Sequence, residues 1–184
     1  MEEVFKDLSA HMIKGLMIYD KLSSYYCFLG LKGFKRLCEY YYYKQNIKYR
    51  KLQKYYTEVH SKLIPEDKIE DPAIIPESWY KYKREEVDTN TKRSSLETGL
   101  KAWVGWCKDT KKLFEESIKA LIDNGHIADA DFVNMYLKDT AKELKLAERM
   151  LLDYSCTNYD PIFIIEEQQA MHDKYKAMLK DLKA

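Results

Sequence analysis

The chain has 184 residues, enough for one domain with a real core, and its 46% apolar and 33% charged residues fit a soluble, highly helical protein. Six glycines and four prolines are too few for a sandwich or barrel with many tight turns, and a net charge of +1 removes any global argument for nucleic acid. No apolar run approaches the roughly 18 residues of a membrane span, and the charged start, with Glu2 and Glu3, has no leader-like apolar region. A cytoplasmic protein without a membrane partner is expected.

Pro65, Pro72 and Pro76 fall in one segment and Pro161 lies near the C-terminus, so the intervals between them are long. Each has helical periodicity. In the first, about residues 3–28, Val4, Leu8, Met12, Leu16, Tyr19, Leu22 and Tyr26 recur every three or four residues. Gly30 and Gly33 then bracket a short turn, which makes the next helix antiparallel to the first.

The second helix is expected over 34–63, about 45 Å long at 1.5 Å per residue. Its stripe is Phe34, Leu37, Tyr41, Gln45, Lys48, Leu52, Tyr55 and Val59. Gln45 and Lys48 break the apolar pattern. Burying a polar group without a partner costs roughly 2–7 kcal/mol, so either the helix phase drifts and both heads reach water, or they meet partners inside.

Residues 64–93 lack a sustained period. They are too many for a hairpin and too apolar for a flexible linker, so they read as a crossover running the length of a bundle. Ile74, Ile75, Trp79 and Tyr80 would pack on the helices it passes.

A third helix, about 94–124, is expected to begin at Ser94 or Ser95, where Ser94 and Glu97 have capping-box spacing. Leu96, Leu100, Trp103, Cys107, Leu113 or Phe114, Ile118 and Leu121 form its apolar side, and Asn124-Gly125 stops it. A fourth, about 128–155, shows Phe132, Met135 or Tyr136, Leu144, Leu146 or Ala147 and Leu151, interrupted by Asp139 and Thr140. A shorter fifth runs from about 162 to 182. Two helices, a long connection, two helices and a short one make an all-α single domain, a four-helix bundle with ferritin-like connectivity.

The runs YDKLSSYYCFLGLKGFKRL, SLETGLKAW, YLKDTAKEL and IFIIEEQQ, with the length and turn positions, resemble the bacterial non-haem ferritins over nearly the whole chain. The resemblance implies a cage subunit that oxidises Fe²⁺ at two irons inside each bundle. Carried over by register, the expected ligand positions are Met12, Gln45, Lys48, Ala102 and Thr140, and the family's neighbouring tyrosine is Tyr19. Hard iron ions favour carboxylates and imidazole, so no intact di-iron centre is expected. Lys48 would instead fill a cation's place and pair with Asp139 or Glu143 on the fourth helix.

The resemblance further implies iron as cargo and self-association into a closed shell of twenty-four subunits. Ile162, Phe163, Ile164 and Ile165 of the last helix would be covered by a neighbour, or else Phe163 and Ile164 dock on the same bundle while the rest lies in a groove. Asp129 and Asp131, at the start of the fourth helix, are candidates for a channel ring, or else plain helix N-terminal acids. With Asp139 and Glu143 they complete the candidate iron contacts. Two other readings stay open: a structural or DNA-associated cage without iron chemistry, and a di-iron oxidase with relocated ligands.

Cys27, Cys38, Cys107 and Cys156 have no zinc spacing and read as buried or half-buried thiols. His11, His60, His126 and His172 form no ligand motif and read as surface or capping residues. Lys44, Lys48, Arg50, Lys51 and Lys54, diluted by Glu39 and Glu58, read as a solvated helix face rather than a nucleic-acid patch. Sixteen tyrosines suit helix faces at the edge of a core.

Overall fold

The computed structural model describes residues 1–65, 69, 72, 81 and 83–183. Five long helices account for nearly all of them: α1 Glu2–Phe28, α2 Lys32–His60, α3 Thr89–Asp123, α4 Ile127–Cys156 and α5 Pro161–Lys183. None of them is long and apolar enough to cross a membrane.

The helix stops are backbone motifs that the turn residues permit. At the end of α1, Gly30 takes φ 74° while the Leu31 amide donates to the Tyr26 carbonyl. Gly125 repeats this at φ 79°, with the His126 amide donating to Leu121. Both are left-handed caps in which a side chain would be strained. α2 ends earlier than expected because Ser61 turns left-handed at φ 54°.

α3 starts earlier than expected. Its cap is Asp88, whose Oδ1 accepts from the Thr91 amide at 2.7 Å, so Ser94 and Glu97 lie inside the helix. An N-cap carboxylate both satisfies an orphan amide and faces the positive helix end, which a serine hydroxyl does less well.

Pairings across the bundle fix helix directions. His11 meets Thr110 and Tyr25 meets Ser95, so α1 and α3 are antiparallel. Phe34 meets Tyr154 and Tyr55 stacks on Phe132, so α2 and α4 are antiparallel. α1 is antiparallel to α2 through its tight turn. α2 and α3 therefore run in the same direction, and the chain must travel back along the bundle between His60 and Thr89. Ile64 is buried at one end of it and Val87 packs at the other. Between them Pro72 is buried, its carbonyl accepting from Lys21 Nζ at 3.3 Å. Ile74, Ile75, Trp79 and Tyr80 lie outside the described residues.

The core divides into two apolar clusters. One, at the α1–α2 turn, includes Leu22, Tyr26, Phe34, Leu37, Leu96, Leu100 and Tyr154. The other, at the α3–α4 turn, includes Phe5, Leu8, Met12, Leu52, Tyr56, Phe114, Leu121 and Val133. Phe5 takes the inward place expected of Val4. Tyr56 is inside, while Tyr55 is half-buried and Val59 is 53% exposed, because the α2 stripe advances by four rather than three residues after Leu52. Phe114, Tyr136 and Ala147 face inward where the pattern left two options. Tyr19, Tyr26, Tyr56 and Tyr154 sit in the core rather than at its edge. Cys38 and Cys107 are buried, but Cys27 and Cys156 are exposed, against expectation.

α5 lies lengthwise along α2, in the same direction. Gln168 Oε1 accepts from the Gly33 amide at 2.6 Å, Tyr175 meets Tyr40 at 5.5 Å, and Lys183 Nζ sits 4.1 Å from the Tyr43 ring centre. α2 has no side-chain cap of its own, so Gln168 supplies it from another helix. A Cβ on Gly33 would lie 2.5 Å from the Gln168 carbonyl oxygen, so only glycine permits this approach. Ile164 is buried and Phe163 packs edge-on to Tyr154, while Ile162 and Ile165 are 68% and 69% exposed. The bundle itself thus covers two of the four apolar residues.

Candidate functional site: a polar layer across the bundle

Between the two apolar clusters lies a layer of polar side chains contributed by all four bundle helices. Gln45 and Lys48 are both only 8% exposed, so the break in the α2 stripe is an inward one and helix phase drift does not release it to water. Lys48 Nζ pairs with Asp139 Oδ2 at 2.7 Å, and Lys44 Nζ with Asp139 Oδ1 at 2.7 Å. Each carboxylate oxygen thus holds one ammonium. Burial raises the Asp139 carboxyl, but the charges and hydrogen bonds of Lys48 and Lys44 outweigh it and leave the group below its ordinary value.

Glu143, one turn further along α4, does not bind Lys48. It accepts from the Tyr19 hydroxyl and from Trp103 Nε1, the latter at 3.1 Å. Neutral donors therefore satisfy this buried carboxylate. Burial first, then the Glu143 charge, pushes the Tyr19 hydroxyl well above its ordinary value and keeps it a proton donor.

Met12 is fully buried, and its carbonyl accepts from Gln45 Nε2 at 3.3 Å. Gly15 makes space for that amide: a Cβ there would lie 2.8 Å from Trp106 Cζ2 and 3.0 Å from Gln45 Nε2. Thr140 is buried in the layer at 3%. Ala102 does not join it. It borders an outer groove with Ile18, Pro72 and Asp109, and its neighbour Trp103 is the α3 residue that reaches inward. A one-residue step on a helix turns a side chain by about 100°, so a register estimate good to one residue cannot decide this.

The remaining candidates lie elsewhere. Asp129 is only 4% exposed, and its Oδ1 accepts from Tyr55 and interacts with His60 Nε2, both at 2.9 Å. His126 Nδ1 lies 3.7 Å from the other oxygen. Asp129 is thus a buried tie between the last residue of α2 and the first turn of α4, not an open channel acid, and His60 is its partner rather than a surface residue. Asp131 is exposed. His11 stacks on Trp106 at 4.1 Å and bonds Thr110 Oγ1 at 2.8 Å. Burial, then Lys14, lowers its imidazole to about 4. Among the described residues, no three or more of His, Cys, Asp and Glu are grouped to hold a metal ion.

Trp106 and Gly15 belong to the layer but were not expected there, whereas Trp103 and Cys107 were expected inward only as apolar residues of the third helix. A signal existed on α4: Tyr136, Thr140, Glu143 and Ala147 are spaced by four, three and four. That spacing puts a threonine and a glutamate on the inward face.

No protein-family model matches the chain, and no curated protein sequence matches it. Solved structures do. A humanized archaeal ferritin superposes with a TM-score of 0.79 at 15% identity, over 94% of each chain. An engineered closed form of the Archaeoglobus fulgidus ferritin gives 0.76 at 14%, again over 94% of each. The open pore ferritin of the hyperthermophilic archaeon Archaeoglobus fulgidus gives 0.76 at 14%, over 94% of this chain and 95% of that one. At such identities the likeness is one of fold. The protein is an all-α, ferritin-like helical bundle with a polar layer through its middle.

Proposed function

We propose that this chain is the subunit of a closed, homo-oligomeric cytoplasmic shell that stores or sequesters iron and has no ferroxidase centre of its own. The observation that carries the proposal is the Lys48 ammonium, held at 2.7 Å from Asp139 within the polar layer. The fold likeness to solved ferritins supports the shell and its cargo.

The donor set does not fit a pair of iron ions. Met12 offers a soft thioether, and Asp139 is neutralised by two lysines. An ammonium among these groups repels a divalent cation as long as it keeps its proton. In this reading Fe²⁺ is oxidised in solution, at a surface site or by a co-assembled subunit. Exposed Asp131 stays available for a channel ring that attracts hydrated cations, whereas Asp129 does not.

The test combines particle size, iron content and kinetics. Purified protein should be a large particle carrying iron, and mixing it anaerobically with Fe²⁺ before adding oxygen should give no fast oxidation burst. A burst that saturates at a fixed Fe²⁺-to-subunit ratio would overturn the absence of a centre. A large particle that takes up no iron would instead support a structural shell.

A further inference from the structure

A second feature lies away from the polar layer, where α5 meets the starts of α2 and α3. A groove of about 430 Å³ is walled by Leu31, Pro161, Ile164 and Ile165. That volume falls within the roughly 300–1,000 Å³ of small-molecule sites. Leu31 and Ile164 are 4% and 7% exposed and make a firm apolar wall, while Ile165 leaves its flank 69% open.

The ionisable residues of the lining are all basic: Lys32, Lys92 and His172. His172 is occupied, with Nδ1 3.1 Å from Asp173 on its own helix. Lys32 and Lys92 have no carboxylate partner among the described residues. Gln168 adds a third element. Its Oε1 is fixed by the Gly33 and Phe34 amides at 2.6 and 3.3 Å, which sets the plane of the side-chain amide. Its Nε2 is buried and has no acceptor among the described residues. An unsatisfied buried donor is destabilising, and an acceptor that reaches it relieves the penalty.

We propose that this groove binds an amphipathic anion: a carboxylate with a short apolar tail. The carboxylate sits between Lys32 and Lys92, with Gln168 in the same lining, and the tail covers Ile164 and Ile165. A free inorganic anion would leave the apolar wall wet, and a neutral hydrocarbon would leave both ammoniums without a counter-charge. The pairing of two unmatched cations with an apolar wall selects a ligand that carries both characters.

The experiment uses the full chain in its native assembly with octanoate as probe, followed by isothermal titration calorimetry. Acetate and 1-octanol serve as comparison ligands. One saturable octanoate site per subunit is expected, with both comparison ligands at least tenfold weaker. Lys32→Glu with Lys92→Glu should weaken octanoate at least tenfold, and Ile165→Asp should do the same from the tail side. Unchanged helicity and melting show that the variants are folded, and should the double charge reversal fail to fold, Lys92→Ala replaces it. No saturable octanoate binding, equal binding of 1-octanol, or binding unaffected by the lysine changes overturns the proposal.

Discussion

The ion pair in the middle of the bundle makes an unequal pair of substitutions. In Asp139→Asn the carboxylate goes but both ammoniums remain. Lys44, with a side chain 26% exposed, can turn its head to water. Lys48, at 10%, cannot do so without moving the helix. One buried ammonium is then left without a counter-charge. Breaking buried pairs in this way costs about 3–5 kcal/mol. The 30% exposure of the Asp139 side chain lets water help, so about 3 kcal/mol, the lower end of that range, is expected. For a chain of this size that is a fall in Tm of about 6–12 °C. Lys48→Met behaves differently. It removes the buried cation, keeps a side chain of similar length, and leaves Asp139 its bond to Lys44. It should stay within about 1 kcal/mol of wild type, and Lys48→Glu, which sets two carboxylates together, should be the worst of the three. Urea unfolding followed by far-UV circular dichroism, at one fixed protein concentration, measures all four proteins. The pH dependence gives a second check. The Asp139 carboxyl is depressed in the folded state, so its contribution is present above the ordinary carboxylate range and lost as pH falls through the folded value. Lys48→Met should flatten that acid limb. Equal stability of wild type and Asp139→Asn, or a Lys48→Met protein as damaged as Asp139→Asn, would refute the reasoning.

Gly33→Ala should loosen α5, since the new methyl meets the Gln168 backbone; overpacking of this kind costs about 1–3 kcal/mol and should appear as faster proteolysis within residues 161–183. His11 is held neutral in the folded state, with its imidazole lowered to about 4, while the unfolded chain takes up that proton near its ordinary value. Its contribution is therefore complete above the ordinary imidazole value and falls as pH drops toward 4; His11→Gln should remove that slope, and an NMR titration of His11 near 6.5 would count against its burial. Glu143→Leu should strand the Tyr19 and Trp103 donors at about 1–3 kcal/mol each, with Trp103 fluorescence reporting the change, whereas an unaltered emission and stability would mean that water reaches them.

Periodicity, turn residues and chain order carried the helices, the direction of the first hairpin and the long return connection. These depend on local backbone physics: a stripe every three or four residues must face a core, and glycine can end a helix left-handed. The inward break at Gln45 and Lys48 was legible for the same reason, because polar groups in an apolar stripe stand out in one dimension. The choice between Asp139 and Glu143 as the partner of Lys48 was not, since both lie on the inward side of α4 one turn apart. Trp103 and Tyr19 decide it by occupying Glu143 from two other helices. Asp129 reads as a helix-start acid in sequence, yet Tyr55 and His60 enclose it from α2. The capping of α2 by Gln168, some 135 positions away, leaves no sequence signal except a glycine. Periodicity ranks residues by the side of one helix they occupy, and only the packing of several helices brings distant donors and acceptors within hydrogen-bonding reach.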